Sequence, residues 1–184
     1  MTCIAGISQG GKVWLGGDSL GVRNGTKVIF ATGKIWQSGE FLMGTCGVSR
    51  LCNLARYVFN PPALPADADL DAYMANEFSA AWRGLVKENG MVKTEDGAEY
   101  QEGMLLVGVR GALYEMDGFF GASRPMENYT AIGSGDNIAL GALYATKGLR
   151  PEKRIKLALE AAAKWDDGVA GPFNVLSTRG RAKR

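Results

Sequence analysis

Thr2 is the residue of this sequence that most directly indicates a chemical function. The 184 residues include no histidine, which excludes Ser-His-Asp and Cys-His nucleophile systems and removes the commonest metal ligand. A general base near neutral pH must then be a perturbed lysine or carboxylate, or a free α-amine with a pKa of about 7.7–8.0. If Met1 is removed, which a small second residue permits, Thr2 carries both a hydroxyl and a free amine. Threonine paired with its own amine is a known activated nucleophile.

Four stretches, taken in their order and spacing, resemble the proteasome β-subunits and the HslV-type peptidases, a family of N-terminal-nucleophile (Ntn) hydrolases. The stretches are TCIAGI at the start, LGGDS at 15–19, TGKIW at 32–36 and YTAIGSGDNIALGAL at 129–143. The similarity extends from Thr2 to about Thr178. It implies a threonine protease subunit that works in a ring or in stacked rings of identical chains, usually with an ATPase unfoldase that delivers unfolded protein.

The resemblance assigns a role to each matching residue. Thr2 matches the nucleophile, and Lys34 matches the lysine beside its hydroxyl. Asp18 matches the acid that holds this lysine, and Ser134 matches the serine beside the amine. Gly47 is the best match to the residue whose N–H faces the oxyanion; a donor of that kind can lower a barrier by about 3–4 kcal/mol.

The acid that supports the amine is less well matched. The family often has an acid followed three residues later by serine, and Asp167 is our choice for it, with Asp166 as the alternative. Position 170 is then alanine instead of serine, a departure that HslV-type members share. The family geometry also implies four residues near the substrate, in a pocket of mixed polarity. These are Gly21, Thr32, Ile35 and Cys46. We expect no metal and no cofactor.

Each matched residue also has a purely structural interpretation. Thr2 alone is uninformative, and Asp18 could cap a turn. Lys34 could be a solvated charge at a strand end, and Ser134 could be the N-cap of the helix that follows it. The preserved family order and the lack of histidine together favour the catalytic interpretation.

Hydrophobic periodicity and turn residues predict the elements that must position these groups. The predicted strands are 2–8, 12–18, 27–31, 34–38, 41–46, 104–110, 112–117 and 173–178. The predicted helices are 48–59, 69–88, 137–146 and 150–165. The first two strands show too little alternation of polar and apolar residues for a sheet with one face exposed to solvent, so we expect both of their faces to be buried. Apolar helices and numerous strands predict an α+β fold, a four-layer αββα sandwich of two stacked sheets with helices outside both.

Composition sets the remaining expectations. One domain is predicted over 1–178, followed by a basic tail at 179–184. A net charge of +2 is too small to indicate nucleic acid or a membrane surface as partner. No signal peptide is predicted, and three unpaired cysteines fit reduced thiols in the cytoplasm.

Two other functions fit the same residues. One is an Ntn amidase or acylase that acts on small amides. The other is a non-catalytic scaffold subunit with a proteasome-like fold, which the presence of Thr2, Asp18 and Lys34 disfavours because an inactive subunit need not keep them.

Overall fold

The computed structural model describes residues 1–178, and the basic tail predicted at 179–184 lies outside them. The strands are β1 (Ile4–Gln9), β2 (Lys12–Gly17), β3 (Leu20–Arg23), β4 (Thr26–Ile29), β5 (Ile35–Ser38), β6 (Phe41–Gly47), β7 (Lys93–Glu95), β8 (Ala98–Tyr100), β9 (Gly103–Val109), β10 (Ala112–Met116), β11 (Ala122–Ser123), β12 (Tyr129–Ile132) and β13 (Asn174–Ser177). One sheet has the order β12-β1-β2-β13 and the other has the order β11-β10-β9-β6-β5. Neighbouring strands are antiparallel throughout both sheets.

The helices form two groups. The first group is α1 (Ser49–Asn53) with a π-helical turn at Leu54–Val58, then α2 (Leu70–Tyr73), a second π-helical turn at Met74–Phe78 and α3 (Ser79–Glu88). The second group is α4 (Asp136–Ala145) and α5 (Pro151–Trp165). The first group packs on the five-stranded sheet and the second on the four-stranded sheet.

The core has three apolar layers because successive strand residues point to opposite faces of a sheet. In β1, Ile4 faces the other sheet, whereas Ala5 and Ile7 face the α4–α5 pair. In β6, Leu42 faces the other sheet, whereas Met43 faces the first helical group. Two-faced burial therefore accounts for the continuous apolar runs in these strands, and the predicted αββα order of layers is confirmed.

Every strand and helix predicted from the sequence is present, with ends that differ by one or two residues. The predicted strands do not include β3, β7, β8, β11 or β12, each of which has four residues or fewer and is too short to show a period. The π-helical turns were also not predicted, since the apolar stripes of these segments fit an uninterrupted α-helix. Within 1–178, the helices are too short or too polar to cross a membrane.

Candidate active site

The strand register gathers one group of candidate residues at a single end of the four-stranded sheet. Ile4 of β1 pairs with Gly17 of β2 on one side and with Ile132 of β12 on the other. The residues just beyond these pairs are Thr2, Asp18 and Ser134. Lys34 directly precedes β5 and approaches them from the other sheet. The site is therefore built where the ends of the two sheets meet.

Lys34 connects the two other central side chains. Its Nζ donates to Oγ1 of Thr2 at 2.9 Å and to Oδ1 of Asp18 at 2.8 Å. Asp18 is completely buried, and its carboxylate also accepts hydrogen bonds from the backbone N–H groups of Cys3 and Leu20, each at 3.0 Å. Lys34 is thus no solvated strand-end charge, because 18% of its side chain is exposed and both of its partners lie within the site.

Ser134 lies beside the backbone of Thr2. Its Oγ accepts a hydrogen bond from the Thr2 nitrogen at 3.2 Å, and the Thr2 carbonyl oxygen accepts one from the N–H of Gly135, also at 3.2 Å. No side chain caps α4, so the N-cap interpretation of Ser134 is wrong. Gly133 has a φ of +102°, and a Cβ there would lie 2.3 Å from the Thr2 carbonyl oxygen. A larger residue than glycine would displace Thr2.

Met1 covers the Thr2 end of the site. Its carbonyl oxygen accepts hydrogen bonds from Oγ1 of Thr2 and, at 3.5 Å, from Nζ of Lys34. Its side chain lies so close to Gly168 that a Cβ on that glycine would be 2.5 Å from the Met1 Cβ. While Met1 is present, the Thr2 nitrogen is an amide and has no basic lone pair.

A cavity of about 370 Å³ opens beside Thr2 and Lys34. Gly21, Thr32 and Gly47 are among the residues that line it. Gly47 has a φ of +133°, in the region that favours glycine, and a Cβ there would lie 2.4 Å from the carbonyl oxygen of Glu102. The last residue of β6 can therefore keep its position beside the start of β9 only because it has no side chain.

Ile35 and Cys46 do not lie at the cavity, which corrects the prediction for these two residues. Both side chains are buried in the layer between the sheets. Their strand neighbours Trp36 and Thr45 line the cavity instead. Because both faces of β5 and β6 are buried, alternation along the sequence does not reveal which face borders the cavity.

Asp167 is likewise placed away from the amine. Its side chain is fully exposed and forms an ion pair with Lys27 at 3.1 Å. Asp166 points inward: its Oδ1 accepts a hydrogen bond from the N–H of Gly168 at 2.7 Å, and its Oδ2 is buried without a hydrogen-bond partner in the described chain. Of the two candidates, Asp166 is the acid that reaches the interior, because the chain turns outward after α5 ends.

The cysteine nearest to Thr2 is not suited to act as a nucleophile. Burial, with the negative charge of Asp18 as the second cause, raises the pKa of the Cys3 thiol to about 12. Burial also raises the pKa of Cys46, to about 11, and that of Cys52, which lines the cavity. Since the thiolate is the reactive form, burial makes these three thiols poor nucleophiles near neutral pH.

Arg56 and Phe30 also line the cavity and were not predicted. Arg56 follows Ala55, a residue of the apolar stripe of the helix predicted at 48–59. A single cation among the core residues of one helix does not by itself indicate a functional site. Phe30 belongs to the strand predicted at 27–31, but its ring lies against Gly21, so that a Cβ on Gly21 would be 2.1 Å from it.

No protein-family model matches the chain, and no curated protein matches it in sequence. BPH from Thiobacillus denitrificans is similar over 96% of this chain and 97% of its own, with a TM-score of 0.78 and 22% identity. The eukaryotic HslV from Trypanosoma brucei is similar over 96% of this chain and 98% of its own, with a TM-score of 0.69 and 21% identity. The chain has the fold of these proteins.

The HslV-like fold agrees with the family that the four sequence stretches resemble. A further structure of BPH, in complex with epoxomicin, has a TM-score of 0.77 to this chain at 22% identity. Anbu, an ancestral β-subunit from Yersinia bercovieri, is more distant, with a TM-score of 0.66 and 12% identity over 96% of this chain. The α+β sandwich predicted from the sequence is therefore confirmed.

Proposed function

We propose that this protein is a threonine-type peptidase subunit whose nucleophile is Oγ1 of Thr2, active once Met1 has been removed. The observation that carries the proposal is the short contact of Nζ of Lys34 with both Thr2 and Asp18. A nearby ammonium group favours the alkoxide over the hydroxyl and disfavours protonation of the adjacent amine. Lys34 therefore activates Thr2 in two ways, through its hydroxyl and through its amine. Buried Asp18 holds the lysine in place.

The reaction is hydrolysis of an amide bond. The free Thr2 amine takes the hydroxyl proton, and Oγ1 attacks the substrate carbonyl carbon. The N–H of Gly47 donates to the oxyanion that forms, and collapse of the intermediate transfers the proton to the departing amine and leaves an ester on Thr2. Water, deprotonated by the same amine, hydrolyses this ester and regenerates the hydroxyl.

Asp166 takes the role that the family assigns to the supporting acid. Its Oδ2 is buried and unpartnered with Met1 in place, and Ser134 already accepts a hydrogen bond from the Thr2 nitrogen. Removal of Met1 converts that nitrogen into an amine with additional hydrogens to donate. In this proposal, Ser134 and Asp166 together orient the amine so that its lone pair faces Oγ1.

The test is covalent labelling followed by intact mass measurement. We expect protein that has lost Met1 to gain one equivalent of an epoxyketone or β-lactone probe, and Thr2→Ala to gain none. Cys52→Ala is the matched control, because Cys52 is the cysteine that lines the same cavity; this variant should label as the wild type does. Absence of label from wild-type protein that has lost Met1 would refute the proposed nucleophile and favour the scaffold alternative.

The proposal includes assembly and substrate. We propose that identical chains form a ring or stacked rings in the cytoplasm, with peptides or unfolded proteins as substrates and an ATPase unfoldase as a partner. Hydrolysis of fluorogenic peptides, compared with that of small acyl amides, separates this function from the amidase alternative.

A further inference from the structure

Arg56 is connected to the backbone on both sides of Lys34. It lies in the π-helical turn Leu54–Val58. Its Nη1 donates to the carbonyl oxygen of Gly33 at 2.6 Å and to that of Ile35 at 3.3 Å. Nη1 carries two hydrogens, so each carbonyl can receive its own donor, and a charged donor makes the stronger kind of hydrogen bond.

The carbonyl between these two is held as well. The oxygen of Lys34 accepts a hydrogen bond from the N–H of Thr45 in β6, at 3.2 Å. Three consecutive carbonyl groups, of residues 33 to 35, are therefore fixed from outside their own segment. Two of the three hydrogen bonds depend on a single side chain, that of Arg56.

The guanidinium group of Arg56 is itself tightly located. It lies 5.6 Å from the ring centre of Trp36 and 5.7 Å from that of Tyr57, both within the range of cation–π contacts. Within residues 1–178 it forms no ion pair with a carboxylate, and the side chain is half-buried at the wall of the cavity. The hydrogen bonds that its guanidinium group donates within residues 1–178 therefore go to the backbone on either side of Lys34.

We infer that Arg56 is a positioning residue for Lys34, which fixes the backbone from which the lysine reaches both Thr2 and Asp18. We call the contact of Arg56 with the carbonyl groups of Gly33 and Ile35 the clamp. The catalytic consequence of the clamp rests on the proposed function, whereas the clamp itself does not. Nζ of Lys34 must stay within hydrogen-bond distance of two atoms at the end of a long side chain. A shift of about 1 Å in such a group can cost about 100-fold in rate.

The experiment compares Arg56→Met, Arg56→Lys and Arg50→Met in protein without Met1. Arg50 is the matched control, because it lies in the same helical segment but contacts Asn89 on the exposed side. Labelling of Thr2 by a small β-lactone probe should slow by about 10- to 100-fold in Arg56→Met, recover in part in Arg56→Lys, which keeps a charged donor, and stay unchanged in Arg50→Met. With a peptide substrate, kcat should fall and KM should remain constant.

Hydrogen exchange separates failure of the clamp from failure of the proposed function. Amides of the segment 33–37 should exchange faster in Arg56→Met than in Arg50→Met, whether or not Thr2 is reactive. If that difference is seen but wild-type protein never labels, the clamp stands and the proposed function is refuted. Thermal unfolding verifies that each variant is folded, and Arg56→Gln replaces Arg56→Met if the latter is not.

Two results would overturn the inference. The first is Arg56→Met that labels at the wild-type rate or shows unchanged exchange at 33–37. The second is a rise in KM for peptides with acidic side chains while labelling by the small probe is unaffected, because Arg56 would then be a substrate contact instead of a positioning residue.

Discussion

At the scale of single residues, the site depends on a charged pair that is almost withdrawn from water. Asp18 is completely buried and accepts three hydrogen bonds, two of them from backbone N–H groups that an apolar substitution would leave unpaired. Breaking a buried ion pair from one side is costly because the remaining charge has lost its partner without regaining water. Lys34 therefore has a structural role that can be measured separately from the catalytic role proposed for it.

Lys34→Met should lower the free energy of unfolding by about 3 kcal/mol, the lower end of the range for such pairs because part of the lysine side chain is exposed. It should also abolish labelling of Thr2. Urea unfolding at pH 7 and intact mass give the two readouts. The double variant Asp18→Asn with Lys34→Met removes both charges and should regain part of the stability while labelling stays absent. Labelling of Lys34→Met at the wild-type rate would contradict the role proposed for the lysine.

At the scale of elements, the junction between β12 and α4 is the most constrained part of the site. Gly133 ends the strand at a positive φ, directly against the Thr2 carbonyl, and Ser134 and Gly135 both contact the Thr2 backbone. The position of Thr2 is thus set by a connection of three residues between a strand and a helix.

Gly133→Ala should abolish labelling of Thr2 and destabilise the protein by about 1–3 kcal/mol, because alanine is strained at this φ and its Cβ would collide with Thr2. Gly141→Ala, within α4 and on its exposed side, meets no atom within 4 Å. This control should be fully labelled and more stable by about 0.5–1 kcal/mol, since glycine is unfavourable inside a helix. Equal labelling of the two variants would show that the junction does not position Thr2.

The sequence predicted elements better than it predicted the faces they present. Runs such as those of β1 and β6 identify buried strands because burial of both faces leaves a continuous apolar stretch. The stripe of α5 identifies a packed helix because burial of one face leaves a period in the residue types. The residue types of β5 do not show which of its faces borders the cavity. Ile35 was therefore predicted to line the cavity, whereas Trp36 lines it. Asp166 and Asp167 are adjacent residues of the same type, so the sequence does not show which side chain points inward after the helix end. Arg56 contacts carbonyl groups, which every residue has, so no partner residue type reveals its role.

At the scale of the whole molecule, large apolar side chains remain on the outer faces of both helical layers. Trp165 and Tyr144 are 76% and 67% exposed on the α4–α5 side, and Tyr57 and Val58 are 66% and 52% exposed on the other. Tyrosine and tryptophan are enriched at surfaces that contact another protein. The proposed assembly of identical chains would bury them.

Wild-type protein should sediment as an oligomer at micromolar concentration, and the double variant Tyr144→Glu with Trp165→Glu should shift toward the monomer, because a contact would then have to bury two charges. Met126→Glu is the control, since Met126 is 95% exposed in a connection outside the helices, and it should sediment as the wild type does. Sedimentation velocity is the measurement. A wild-type chain that is monomeric under these conditions would contradict the proposed assembly.

The contacts of Met1 with Gly168 and with the Thr2 hydroxyl bear on how the proposed mechanism would begin. Under that mechanism a copy that retains Met1 is inactive, and its activation requires an aminopeptidase that reaches residue 1. If the chains enclose their sites on assembly, trimming has to come first, because a closed chamber admits no second enzyme. A copy that joins untrimmed would then stay a permanently idle member, and the pace of N-terminal maturation would set the working fraction of each particle.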